Sequence, residues 1–559
     1  MKQSLFKVLI LVVLIMGLGT QMAMSKAVDR FKPSSPSVST GDDDDNLKTP
    51  LDFEERVAET PLINSLILVS RCRFSPFNGS VNFYSALASP VADAIVNDTL
   101  FSFADNTQCY NPQNEHNIVV NPTDSTNLVT SANEYRIDGH AVYYSHDTGA
   151  TWHNVALPGW TSSTGGQGTF ARLSSCGDPV VAFGADGTLY YSGIVCNQNK
   201  ISFYSGIAVA KSTDGGAHWS APVMVSFSDS WTIFNDKEFM TVGGDGTIYV
   251  TWTRFKVVAN SFFESPIVFS KSTNGGKSFS TWATVSDKSH PFNSGSYPQV
   301  APNGDVYVAY EGSTPSTGYN GDAIILAKST NGGKTWTNAE LARAFDDNNC
   351  YPRNIAQNRQ TLSGEQFRIN SFPSFAIDPS NGHMAIVWAD DEANASCGYE
   401  KGGSFVGPTS NQVKLITSTN GTTWTSPSVI TTGVEDKVYP AVGANNGRIA
   451  VGYYTRAYSP TTDDCKLAVQ DTVTLAVTTL GGPVCMDYAQ KTSDDSFASE
   501  NRLTTQSSNP YILFAGSFIG DYTGAVVDAN GNASHVWSDF RGNPTHTSPN
   551  QDADVAHGQ

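Results

Sequence analysis

Short apolar runs, punctuated by Gly, Asn and Asp, recur along the chain from about Glu115 to its end. One form is Asp178-Pro-Val-Val-Ala-Phe183, then Gly-Ala-Asp186-Gly187, then Thr-Leu189-Tyr-Tyr191. It returns as Phe239 to Val242, Asp245-Gly246 and Ile248 to Trp252, and as Pro298 to Ala301, Asn303-Gly304 and Val306 to Tyr310. Weaker copies start near Glu115, Phe372, Tyr439 and Gly520. An apolar run, an Asn/Asp-Gly pair that tolerates positive φ, and an alternating run predict a β-hairpin. A second phrase stands between these hairpins. It reads Ser145-His-Asp-Thr-Gly-Ala-Thr-Trp152, Ser212-Thr-Asp-Gly-Gly-Ala-His-Trp219, Ser272-Thr-Asn-Gly-Gly-Lys-Ser-Phe279, Ser329-Thr-Asn-Gly-Gly-Lys-Thr-Trp336 and Ser418-Thr-Asn-Gly-Thr-Thr-Trp424. Each copy predicts the turn of a second hairpin, packed down by its final aromatic. Two hairpins make a four-stranded unit that cannot cover both of its faces alone, so like units must stack. Radial stacking predicts an all-β chain, a β-propeller of four-stranded antiparallel blades. Seven first-hairpin phrases predict seven blades, with six as the rival count. The sixth unit lacks the second phrase, and a Cys465–Cys485 bridge is expected to clip it instead. The seventh is one strand short, so a strand from the N-terminal part is expected to close the ring.

Composition narrows the functions open to such a fold. The chain has 559 residues, of which 15% are charged, with 48 Gly and 27 Pro and a net charge of −18. Nucleic-acid binding through a basic surface and electrostatic attachment to anionic lipid are thereby disfavoured. Residues 1–25 predict an export signal: Lys2 and Lys7, an apolar Val8 to Gly19, and the small-x-small Ala23-Met24-Ser25. An uncleaved anchor is the alternative. Residues 26–61, with the run Asp42 to Asp45, predict a polar disordered tether. Residues 62–114 are expected to pack on or close the propeller, which occupies 115–559. The eight cysteines suit an oxidising, secreted or otherwise extracytoplasmic compartment. Taken as neighbours they pair Cys72 with Cys109, Cys176 with Cys196, Cys350 with Cys397, and Cys465 with Cys485, although spacing leaves the connectivity open. The ten histidines form no metal-ligand spacing, so neither a metal nor another cofactor is expected.

The five Ser-led phrases resemble the Asp-box, or bacterial neuraminidase repeat, S-x-D-x-G-x-T-W. Through them most of the chain from about Glu115 resembles the sialidase superfamily, whose fold is a β-propeller and whose boxes are structural turns. Strand direction then locates the chemistry. With the boxes at the bottom, the starts of first strands and the ends of second strands meet at the top face near the axis. First-strand starts carry Asp178, Asp236 with Lys237, Tyr297, Tyr439, and Asp521 with Tyr522. Second-strand ends carry Arg136, Arg254, Glu311, Asp390 with Asp391, Arg456, and Asp539 with Arg541.

In the sialidases that the chain resembles, three arginines hold the substrate carboxylate. A tyrosine assisted by a glutamate attacks the anomeric carbon, and an aspartate is the acid/base. A phenol with an ordinary pKa of about 10 needs such help. Carried onto this sequence, Tyr522 is the candidate nucleophile and Glu311 its activator. Asp178 or Asp236 is the acid/base, while Arg136, Arg254, Arg456 and Arg541 compete for the carboxylate. Two departures stand out. The family's Arg-Ile-Pro segment is approached only by Tyr135-Arg136-Ile137-Asp138, which falls at a second-strand end, and the blade count differs. The resemblance implies an exported propeller that binds or acts on glycans, with exo-α-sialidase hydrolysis of terminal sialic acid as its sharpest form. Its rivals are a non-catalytic scaffold for glycan or protein, and a lyase or hydrolase for another acidic sugar.

Overall fold

The computed structural model describes residues 84–86, 94–95 and 112–558, less 136, 198–203, 231, 259–261, 318–320, 345–350, 355–358, 392–407, 462–464, 466, 471–476, 482, 512–513 and 542–550. Seven antiparallel sheets stand in a ring. Their first strands are Gln113–Asn121, Ser174–Phe183, Ile233–Val242, Asn293–Val300, Ser374–Ile377, Lys437–Asn445 and Gly524–Val527, which define blades 1 to 7. Each packs on the next, and the last packs on the first. The fold is therefore a seven-bladed β-propeller. The helices among the described residues are short 3-10 turns, and none is long and apolar enough to cross a membrane.

Burial follows from this stacking. A second strand has a neighbouring blade on both faces, so it reads as a continuous apolar run. Leu189–Cys196, Val306–Ser313 and Met384–Asp391 are buried at every position. The outermost strand has solvent beside it, and Thr337–Ala344 is exposed or half-buried except at its end. The fifth residue of the second strand is aromatic in four blades: Trp252, Tyr310, Trp388 and Trp537. All four are sealed between sheets. Apolar layers lie between successive blades, such as Val180, Ile194 and Ile207 of blade 2 against Met240, Trp252 and Val268 of blade 3.

The five Ser-led turns fold alike. In blade 2 the Ser212 hydroxyl donates to Asp214 Oδ1 at 2.8 Å and accepts the Gly216 N–H at 3.1 Å. Asp214 Oδ1 accepts the His218 N–H at 2.9 Å. Ser145, Ser272, Ser329 and Ser418 accept a glycine N–H in the same way. The turn then packs on the preceding blade. A Cβ on Gly333, whose φ is 85°, would lie 2.4 Å from the Phe269 ring, so only glycine fits.

Blade 6 departs from the expected clip. Cys465 and Cys485 are bonded, but they close the neck of a hairpin, Leu467–Gln470 with Val477–Gly481, inserted between the second and third strands. The turn after its third strand is Thr492–Phe497, where Thr492 Oγ1 donates to Asp494 Oδ2 at 3.2 Å. A threonine thus takes the serine's place, a degenerate sixth copy that the spelling concealed. Cys176 and Cys196 are also bonded, joining the first two strands of blade 2. Cys72, Cys109, Cys350 and Cys397 lie outside the described residues, as do residues 1–61. Blade 7 receives its fourth strand from Ala94–Ile95, which pairs with Val555 and Asp554. A short strand, Tyr84–Ala86, adds to the outside of blade 1.

Candidate functional site

Five of the seven first strands share one irregularity. Pairing with the second strand breaks between Asn114 and Asn117, Gly177 and Val180, Asp236 and Phe239, Ser294 and Tyr297, and Val438 and Ala441. Inside these breaks Glu115, Asp178, Lys237 and Tyr439 adopt φ of 51° to 58°, and Gly295 a φ of 64°. Each break is a β-bulge, which re-aims a side chain at the cost of a left-handed residue. Four non-glycine residues held so near one axis are the mark of a site whose strain is maintained by its surroundings.

The bulges bring ionised groups together. Lys237 Nζ lies 3.2 Å from Glu115 Oε1 and 3.6 Å from Asp178 Oδ1, and it bonds Asp521 Oδ2. The Lys237 N–H donates to Asp178 Oδ2 at 2.9 Å. Arg368, from the connection between blades 4 and 5, donates through Nε to Asp521 Oδ1 at 2.8 Å and through a second nitrogen to Oδ2. Its guanidinium also lies 4.5 Å over the Phe518 ring. All these side chains are buried.

Desolvation and charge divide the titrations. Burial alone would lower the Lys237 ammonium, but Asp178, Asp521 and Glu115 hold it well above its ordinary range. Burial would raise Asp521, yet Arg368 and Lys237 keep it well below. Burial raises Glu115 well above the carboxylate range and takes Asp178 up to about 6. Burial, with Asp178 nearby, also raises Glu238 well above that range.

A cavity opens beside this cluster on the side of blades 3 to 7. Its empty space, solvent at the open mouth included, is ≈ 540 Å³. Lys237, Glu238, Asp521 and Tyr522 supply its polar wall. Phe239, Tyr297, Phe372 and Tyr439 supply rings, with Phe239 and Tyr297 stacked at 3.9 Å. Both Glu238 oxygens and the Tyr522 hydroxyl are buried without a hydrogen-bond partner. Burial raises the Tyr522 phenol well above its usual range, and the Asp178, Glu115 and Glu238 carboxylates add to that shift. Uncompensated buried polar atoms in a cavity cost ~1–3 kcal/mol each, a cost that a hydrogen-bonding ligand removes.

Of the residues singled out from the sequence, Tyr522 lines this cavity and Asp178 lies in the charge cluster. Asp236 is buried in the blade 3 bulge and acts on Lys237 and Asp178 through its charge. Glu311 stands on the second strand of blade 4, beside Ser294 and Ile324, and is not in the cavity wall. The arginines are held apart. Arg254 lies 4.6 Å over the Trp282 ring; Arg456 bonds Asp436 and reaches Glu365 at 3.6 Å; Arg541 pairs with Asp539 and Asp554. Arg136 is outside the described residues. Glu238 and Arg368 were not singled out. Their signals are faint: a charged Asp236-Lys237-Glu238 run abutting an apolar strand, and an Arg368-Ile369 pair shortly before the first strand of blade 5. No three His, Cys, Asp or Glu among the described residues are grouped to hold a metal ion.

No family model matches the chain, and no curated protein matches it. Solved structures are similar to it in architecture. A protein of unknown function from Dyadobacter fermentans is 14% identical over 66% of this chain and 94% of that one, with a TM-score of 0.40. A Hadza microbial sialidase is 14% identical over 61% of this chain and 63% of its own, with a TM-score of 0.37. A Penicillium chrysogenum alpha-L-arabinanase complexed with arabinobiose is 13% identical over 57% and 80%, with a TM-score of 0.33. Likenesses this remote assign neither activity nor substrate to this chain.

Proposed function

We propose that this propeller binds and hydrolyses glycans in the axial top-face cavity. The observation that carries the reading is a trio of unpartnered buried atoms on two residues of its wall: the Tyr522 hydroxyl and both Glu238 oxygens. In this reading Tyr522 meets the anomeric carbon as the glycosidic bond breaks. Asp178, ionised above about 6, accepts the phenolic proton. Glu238, kept protonated by burial, gives its proton to the leaving oxygen. A water molecule then displaces Tyr522, giving one proton to Glu238 while Asp178 returns its proton to the freed phenolate oxygen. The Ser-led turns, read as Asp-boxes, serve as bottom-face clasps and take no part. An export route would bring the protein to extracellular glycans, which the two disulfides suit.

Hydrolysis of terminal sialic acid is the finer form of this reading. It needs arginines converging on a carboxylate, and Arg254, Arg456 and Arg541 each have acidic or aromatic partners of their own. A non-catalytic glycan-binding module is favoured by one observation, the complete internal neutralisation of Lys237 and Arg368. Turnover of a panel of fluorogenic glycosides separates the two. Hydrolysis that Tyr522→Phe and Glu238→Gln each reduce at least about 100-fold supports the enzyme. Binding without turnover supports the module, and unchanged turnover in both variants removes the assigned site.

A further inference from the structure

The charge of the cavity speaks to which sugars it admits. Lys237 is the one cation among the described residues that line it. Its ammonium already faces carboxylates from blades 1, 2 and 7. Arg368 is bound to Asp521 by two hydrogen bonds and covered by Phe518. Drawing either cation toward an anionic ligand would strand Asp521 in a buried site, which is strongly unfavourable. What else lines the cavity is acidic, uncharged polar or apolar. Glu238 and Asp521 stand in the wall, with Asp178 and Glu115 close to Lys237 behind it.

We infer that the cavity selects an uncharged sugar unit and rejects one that carries a carboxylate. This deepens the glycan reading above and rests on it. The hydroxyls of such a sugar satisfy Glu238 and Tyr522, while its C–H faces lie against the rings of Tyr297, Phe372 and Tyr439. A sugar carboxylate would instead lose its water with both cations already paired to Asp521, which is costly.

The test uses the full chain at pH 7 with two sets of probes. Fluorogenic arabinoside, galactoside, glucoside, xyloside and fucoside are compared with the matching sialoside and glucuronide for turnover. The corresponding free sugars are compared for binding by saturation-transfer NMR. At least one neutral probe is expected to be favoured over both acidic probes by about 100-fold or more. Tyr522→Phe and Glu238→Gln should abolish that engagement while leaving the thermal midpoint within a few degrees of wild type. Equal or better engagement of an acidic sugar overturns this inference and leaves the glycan reading standing. Engagement of no probe of either charge overturns both.

Discussion

At the residue scale, the unusual chemistry comes from bulges. A bulge places two consecutive residues where the pleat would place one, so Lys237 enters the charge cluster while Glu238 reaches the cavity. Strand direction alone made Lys237, Tyr297, Tyr439, Asp521 and Tyr522 legible in the sequence, and all five line the cavity. It could not show Glu238, because alternation does not reveal a bulge, nor Arg368, which arrives from a connection outside the repeat. Strand direction also aims the second-strand arginines at the axis, but a second strand lies ~4.8 Å further out. There Arg456 and Arg541 find acids before they find the cavity.

Lys237→Met should cost ~3–5 kcal/mol, because it leaves Glu115 and Asp178 buried without their counter-charge and Asp521 with Arg368 alone. Chemical denaturation of the two proteins checks this, and near-equal stabilities would contradict it. Activity should rise with pH through an apparent pKa of about 6 as Asp178 ionises. Stability runs the other way. Asp178 keeps its proton up to about 6 and Glu365 up to about 8, whereas unfolded carboxyls release theirs near about 4. Their contribution is full below the unfolded values and is lost as pH rises through the folded ones. Asp521 is opposite, losing its contribution as pH falls through its depressed value. The melting temperature should therefore decline between pH 5 and pH 8, and Glu365→Gln should flatten that decline by several degrees. An equal decline in both proteins would remove Glu365 as a cause.

At the element scale, the hairpins and the repeating Ser-led turns were the most readable features, since each is local. Ser212→Ala removes the acceptor for the Gly216 N–H and the donor to Asp214. Its expected cost is about 1–2 kcal/mol with turnover unchanged, because the turn is remote from the cavity. A large drop in turnover at full stability would bring the turns into the chemistry. Trp388→Ala empties a sealed position between blades and should cost ~3–5 kcal/mol. Blade 6 shows where local reading fails: Thr492 replaces the serine, and two cysteines that looked like its substitute close a different hairpin.

For the whole molecule, the cavity is a property of the closed ring. Its walls come from blades 3 to 7 and from the connection leading into blade 5, so no single repeat contains it. Lys237 alone ties four blades together. Closure depends on Ala94–Ile95 completing blade 7, and deletion through Ile95 should lower the melting temperature and weaken sugar binding together. Binding retained at full strength in that truncation would separate the site from the ring. The central claim, that glycans are engaged at the axis in this cavity, is met most directly by crystals soaked with the best-engaged sugar. A sugar ring is expected among Tyr297, Phe372 and Tyr439, hydrogen-bonded to Glu238 and Tyr522. Sugar found elsewhere, such as against the exposed Trp282 ring, with the cavity holding only water, would contradict it.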